Sequence, residues 1–109
     1  MTKIVFQKQG EDFVRIECEG HTGYAEHGED IVCAALSALV HGAALGVLRV
    51  AGVKADYRID EENGSLRLVI PKGIDDDAKH DCNVILKTLY ESVKDLAKGY
   101  SEFIKVEVK

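Results

Sequence analysis

Proline is nearly absent. Pro71 is the only one among 109 residues, and the ten glycines follow no fixed period. A proline-rich linker and a collagen-like chain are therefore excluded. Basic residues are also in the minority, 14 Lys and Arg against 19 Asp and Glu, for a net charge of −5 and a pI near 5.3. A general nucleic-acid binder needs an electropositive footprint, so no direct nucleic-acid partner is expected. Cysteine is sparse and odd in number: Cys18, Cys33 and Cys82 stand at wide, irregular intervals, which is no disulfide framework. No basic segment followed by an apolar one opens the chain, since Lys3 leads directly into Ile4-Val5-Phe6-Gln7. A cytoplasmic setting with reduced thiols is the expectation.

What is present is ordinary globular material, 46% apolar and 30% charged, long enough for one domain spanning 1–109 and one modest core. Residues 3–8 and 13–19 are strand-like runs parted by Gly10-Glu11-Asp12. In the second, Val14, Ile16 and Cys18 alternate with Arg15, Glu17 and Glu19, which predicts a half-buried hairpin. A glycine-bearing loop over 20–29 leads to an apolar helix over 30–51, with Gly52 placed to end it.

Between residues 31 and 48 the only polar side chains are Ser37 and His41. That length approaches a membrane span, but the Ala and Gly content, the mid-segment histidine and the missing basic flanks favour a helix of a small domain. No membrane partner is expected. The helix is apolar nearly all round, which predicts a central or interfacial position. Ala38, Gly42 and Gly46 form a flat stripe that suits either the second helix or a second subunit.

The pattern then recurs. Ala55, Tyr57 and Ile59 alternate with charged residues, Asn63-Gly64 signals a hairpin turn, and Leu66, Leu68 and Ile70 alternate on the return. Asp75, Asp76 and Asp77 offer an N-cap for a helix over 76–98. Its stripe is Cys82, Ile85, Leu86, Leu89, Val93 and Leu96, and Gly99 is its expected cap. Ile104, Val106 and Val108 alternate in a last strand. The order ββαββαβ predicts an α+β fold, a two-layer α/β sandwich with a five-stranded sheet and two helices on one face. Strand order is not readable.

Cys33 carries the chemistry if any residue does. It lies three residues after Asp30 at a predicted helix start, where unpaired N–H groups and the positive end of the helix dipole stabilise a thiolate. The preceding loop supplies imidazoles, and a nucleophilic cysteine needs one within hydrogen-bond reach. His21 follows Gly20 at a strand end, held by the scaffold. His27 sits between Glu26 and Gly28 on the looser part of the loop and reads as solvated. Ser37 shares the Cys33 face one turn on, and Asp30 reads as the N-cap. Against this, cysteine is among the most buried residue types, so Cys33 also fits plain packing. A metal reading would pair Cys18 and His21 with His80 and Cys82, but these spacings match no common zinc motif. No phosphate loop or dinucleotide fingerprint occurs, and neither metal nor cofactor is expected.

Gly20-His21, the glycine-bearing loop, and the run Gly28-Glu29-Asp30-Ile31-Val32-Cys33-Ala34-Ala35-Leu36-Ser37 together resemble the ribosomal-processing cysteine protease family, Prp, over essentially the whole chain. The resemblance implies a cytosolic bacterial endopeptidase that removes the N-terminal extension of a large-subunit ribosomal protein, number twenty-seven in the bacterial naming. Cleavage is expected after an aromatic residue, at a phenylalanine–alanine type junction, by a homodimer. By position it makes Cys33 the nucleophile and His21 its partner, with Gly20, Asp30 and Ser37 in support. The loop with Gly23, His27 and Gly28 becomes a flap over the substrate peptide. Two other readings remain at this stage: a non-catalytic ribosome-associated binding module with Cys33 in its core, and a metal-binding regulator.

Overall fold

Alternating apolar residues at the start of the chain fold as an antiparallel hairpin of β1 (Thr2–Gln9) and β2 (Asp12–Glu19). Ile4 stands opposite Cys18 and Phe6 opposite Ile16. The computed structural model describes residues 2–20, 29–60 and 62–109, the side chains of Glu29 and Asp30 excepted. Gly10 turns the hairpin at φ +66°, a conformation that glycine adopts without steric cost. A β-bulge follows Gln7, where the register jumps from Gln7–Arg15 to Lys8–Phe13. It corrects the simple alternation expected of β2. Val14 becomes the extra residue and is only half-buried, while Phe13 takes the core-facing place, as a bulge requires. Phe13 then packs with Phe6 and Tyr90, the three ring centroids lying 5.1–5.5 Å apart.

The second hairpin joins β3 (Asp56–Asp60) to β4 (Ser65–Val69). Asp60 closes its turn by accepting from the Asn63 backbone N–H at 3.1 Å and from the Asn63 side-chain amide at 2.7 Å. These bonds hold the exposed Asp60 carboxyl below its ordinary range. β5 (Ile104–Val108) pairs with β1 in parallel, and the sheet order is β3-β4-β2-β1-β5.

Both helices cover the same face of this sheet. The first, α1 (Glu29–Leu45), runs on through a π-helical turn (Gly46–Val50) and stops before Gly52 at φ +70°. Val32, Leu36, Val40, Ala44 and Val47 recur every three or four positions and are buried at 0–1% exposure. Leu36, Val40, Ala44 and Val47 join Ile4, Phe6, Ile16 and Leu68 in a single core. The opposite side of α1 is open, with Ile31 64% and Val50 85% exposed. The helix is thus long and apolar enough to cross a membrane, with 33% of the stretch Ile31–Val50 buried, and it is not central. His41 lies on its open side, with Nδ1 2.9 Å from the Tyr57 hydroxyl on β3.

The second helix, α2 (Asp76–Gly99), buries Cys82, Leu86, Leu89 and Val93. Asp75 caps it by accepting from the Ala78 N–H at 2.8 Å. Gly99 is the last helical residue, and the capping position falls to Tyr100 at φ −137°. The small-residue stripe meets the second helix at one of its positions. Gly46 meets α2, where an added Cβ would lie 3.3 Å from Ile85 Cδ1, whereas one added at Gly42 would meet nothing within 4 Å.

Two stability differences follow from these contacts. Asp75→Ala loses a capping bond and should cost about 1 kcal/mol, whereas Asp76→Ala costs only a few tenths through the helix dipole. Gly42→Ala should gain up to about 1 kcal/mol of helix propensity. Gly46→Ala should gain none, because Ile85 must shift to admit the methyl. Denaturant unfolding of the four variants measures both contrasts.

Candidate active site

Three structural elements converge on Cys33. β2 ends at Glu19, and Gly20 leaves it at φ +112°, a backbone setting that a side chain would strain. α1 begins at Glu29, which puts Asp30 inside the first helical turn and corrects its reading as the N-cap. Cys33 accordingly falls at the start of the second turn. The Cα–Cβ bonds of a helix tilt toward its N-terminus, so the thiol is carried back over the first turn and its unpaired N–H groups. The third element is β1, whose Thr2 Oγ1 lies 2.9 Å from Cys33 Sγ. Thr2 is 3% exposed and is the only buried polar or charged residue among the described ones.

The three cysteines differ sharply in surroundings. Cys18 and Cys82 are buried thiols of the core, and Cys33 is half-buried. Burial pushes the Cys18 thiol up to about 12, helped by nearby Cys33 and then Glu19. Burial also raises the Cys82 thiol, with Asp81 adding to it. Both core thiols therefore stay protonated at neutral pH, and a protonated thiol is a poor nucleophile. Packing of Cys33 into the core, the bland reading of its sequence context, does not describe its position.

Ser37 is exposed one turn beyond Cys33 on α1. His21, Gly23, His27 and Gly28 lie outside the described residues. The metal reading fails on placement. Cys18 sits on β2 opposite Ile4 and Leu66. Cys82 lies at the other end of the sheet, beside Phe13 in the first turns of α2, and His80 is exposed. A groove of about 770 Å³ opens at that far end, lined in part by Lys8, Phe13, Lys72, Lys79 and Asn83. Five residue steps along β1, from Thr2 to Gln7, about 17 Å at 3.3 Å per residue, separate it from Thr2 and Cys33. It does not adjoin the candidate nucleophile.

Sequence reasoning missed Thr2 altogether. Its signal is a hydroxyl on the inward face of a strand, and only the pairing of β1 beneath α1 reveals what it touches.

Comparison with known proteins places this geometry. Residues 1–105 match the family model of the cysteine protease Prp. The ribosomal processing cysteine protease Prp of Bacillus subtilis is 30% identical over 90 residues, covering 83% of this chain and 80% of that protein. The Staphylococcus aureus protein of the same name is 28% identical over 91 residues, covering 84% and 82%. Among solved structures, the fold superposes on an essential ribosomal processing protease Prp from S. aureus in complex with a substrate peptide. The TM-score is 0.88 at 23% identity, with all of both chains covered. The same S. aureus protease with a covalently linked product peptide gives a TM-score of 0.83 at 24% identity, again over both whole chains. The fold, the cysteine-bearing helix start and the family match agree: the chain belongs to the Prp family of ribosomal processing cysteine proteases.

Proposed function

We propose that this cysteine protease removes the N-terminal extension of large-subunit ribosomal protein twenty-seven, cutting after an aromatic residue, with Cys33 as nucleophile and His21 as its base. The observation that carries the reading is the position of Cys33. It is the one half-buried cysteine, at the start of the helix within the family match. The S. aureus relative has been crystallised with a covalently linked product peptide, and an enzyme–peptide bond is what nucleophilic cysteine catalysis forms.

The chemistry runs in two halves. His21 takes the Cys33 proton, and the thiolate attacks the scissile carbonyl to form a C–S bond. N–H groups of the first turn of α1 stabilise the oxyanion. The His21 imidazolium then gives its proton to the leaving amine as the C–N bond breaks. Water, deprotonated by His21, opens the thioester and returns the thiol. Gly20 turns the chain toward His21, Asp30 supports the helix start, Ser37 offers a hydroxyl on the Cys33 face, and the loop with Gly23, His27 and Gly28 closes over the peptide. The setting is the cytoplasm, with no cofactor, and the charge of −5 suits a basic ribosomal protein and no nucleic acid.

The working unit is a homodimer. The open apolar side of α1, with Ile31, Ala34, Ala38, Gly42 and Val50, is the surface for the second copy.

Iodoacetamide should label Cys33 well before Cys18 and Cys82 in the folded protein, as peptide mass mapping will show. Cys33→Ala should abolish cleavage of an extension peptide bearing an aromatic–alanine junction. His21→Ala should lower kcat/KM by about 10²–10⁴, and His27→Ala should change it little. A dead His27→Ala beside an active His21→Ala would reverse the base assignment. Light scattering should give twice the chain mass for the wild type and a folded monomer for Ala38→Glu. A monomeric wild type would remove the dimer from this reading.

A further inference from the structure

A buried hydroxyl without a function is an odd choice for a core position. Valine has nearly the same shape as threonine and carries no polar group to desolvate, and burying a hydroxyl is unfavourable unless a hydrogen bond compensates. Thr2 is nevertheless buried, at 3% exposure, with its Oγ1 2.9 Å from Cys33 Sγ. Its backbone is held as firmly as the strand allows. Thr2 N–H donates to the Phe103 carbonyl at 2.7 Å, and Thr2 stands opposite Ile104 in the parallel β1–β5 pair. The hydroxyl thus reaches the sulfur from a fixed scaffold, on a different element from the helix that carries the cysteine.

We propose that Thr2 is a positioning residue for the reaction, its hydroxyl donating a hydrogen bond to the Cys33 thiolate and aiming the sulfur. The inference rests on Cys33 being the nucleophile. While the sulfur is protonated, either atom can donate. Once the proton leaves, the thiolate only accepts and the hydroxyl must be the donor. The bond then strengthens, because hydrogen bonds to an ionised partner are the stronger class. Thr2 therefore favours the charged form of Cys33 over the neutral one, and it restrains the rotation of the side chain before substrate arrives. It touches no reacting atom of the peptide and moves no proton. Its effect passes through the sulfur.

Such a role leaves a signature that packing alone cannot. Removing the donor should move the pH profile of Cys33 alkylation to higher pH. At neutral pH the rate should fall about three- to tenfold, since a tenfold change in thiolate population corresponds to one pH unit. On the alkaline plateau the rate should not fall, because a thiolate that has lost a hydrogen bond is the better intrinsic nucleophile.

The experiment is the rate of iodoacetamide reaction at Cys33 across pH for the full chain as wild type, Thr2→Val, Thr2→Ala and Thr2→Ser, with thermal unfolding recorded for each. Thr2→Val should shift the profile with its thermal midpoint kept or raised, and Thr2→Ser should restore the wild-type profile. Thr2→Ala provides a second variant without the donor, should the valine variant fold poorly. An unshifted profile in the folded donorless variants would overturn the proposal. So would a uniform loss at every pH that Thr2→Ser does not recover, which is the mark of a merely structural residue. Alkylation needs no peptide, so the outcome is separable from the protease reading. If the profile shifts while the wild type leaves the extension peptide uncut, Thr2 keeps its role and the substrate assignment falls.

Discussion

The sheet has one face that can be covered, and the rest of the molecule answers to that constraint. On the outer side Lys3, Arg15, Glu17, Asp56, Arg67 and Glu107 stand in neighbouring strands. Their pairs, such as Lys3–Glu107 at 3.3 Å and Arg67–Asp56 at 3.6 Å, are surface contacts of small individual worth. Ile4, Phe6, Ile16 and Leu68 point the other way and must be buried there. Two helices and one apolar face leave only a side-by-side arrangement. α2 accordingly packs against the β1–β2 hairpin, with Tyr90 on Phe6 and Phe13, and α1 lies beside α2 with its Cys33 at Thr2 of β1. That placement is what brings Cys33 within reach of the Thr2 hydroxyl.

The same constraint sorts the cysteines. Cys18 and Cys33 are close enough for the charge of one to act on the other, yet one is sealed under the helix layer and the other is at its margin. The difference is one of burial, which the residue type does not record. A chain with three identical thiols in this way seals two in its core and leaves one at the margin.

Much of this was legible in advance, for reasons that can be named. The period-two run of β4 and the period-3.6 stripe of α2 arise from burial on one side, so they announced their elements. β3 alternates in sequence although its Ile59 is exposed. Asp75 and the Asn63-Gly64 turn declared local boundaries by their own hydrogen-bonding chemistry. β2 deceived because a bulge changes the phase of a strand without changing its composition, which exchanged Val14 for Phe13. The ends of the helices misled as well. α1 starts before Asp30, and α2 absorbs Gly99, because a glycine or an aspartate near a boundary permits a cap without imposing one. Strand order was hidden, since it depends on pairings between distant segments. Cys33 could be picked out by its place in the chain, but Thr2 could not, because its meaning depends on a partner 31 residues away.

The parallel pairing of β1 with β5 has a further consequence for how the molecule is made. Thr2 stands opposite Ile104 and Phe6 opposite Val108, so nearly the whole chain separates the two partners. Contacts of such long sequence separation form late and slow the overall rate, because the entropy of closing the loop must be met first. The edge of β1 that meets β5 stays unpaired until residues 104–108 join it. The strand that carries Thr2 is therefore completed by the final segment of the fold. A growing chain can build its β1–β2 hairpin and its first helix well before the surroundings of Cys33 are in place. The surroundings of Cys33 are thereby tied to the β1–β5 pairing that fixes Thr2.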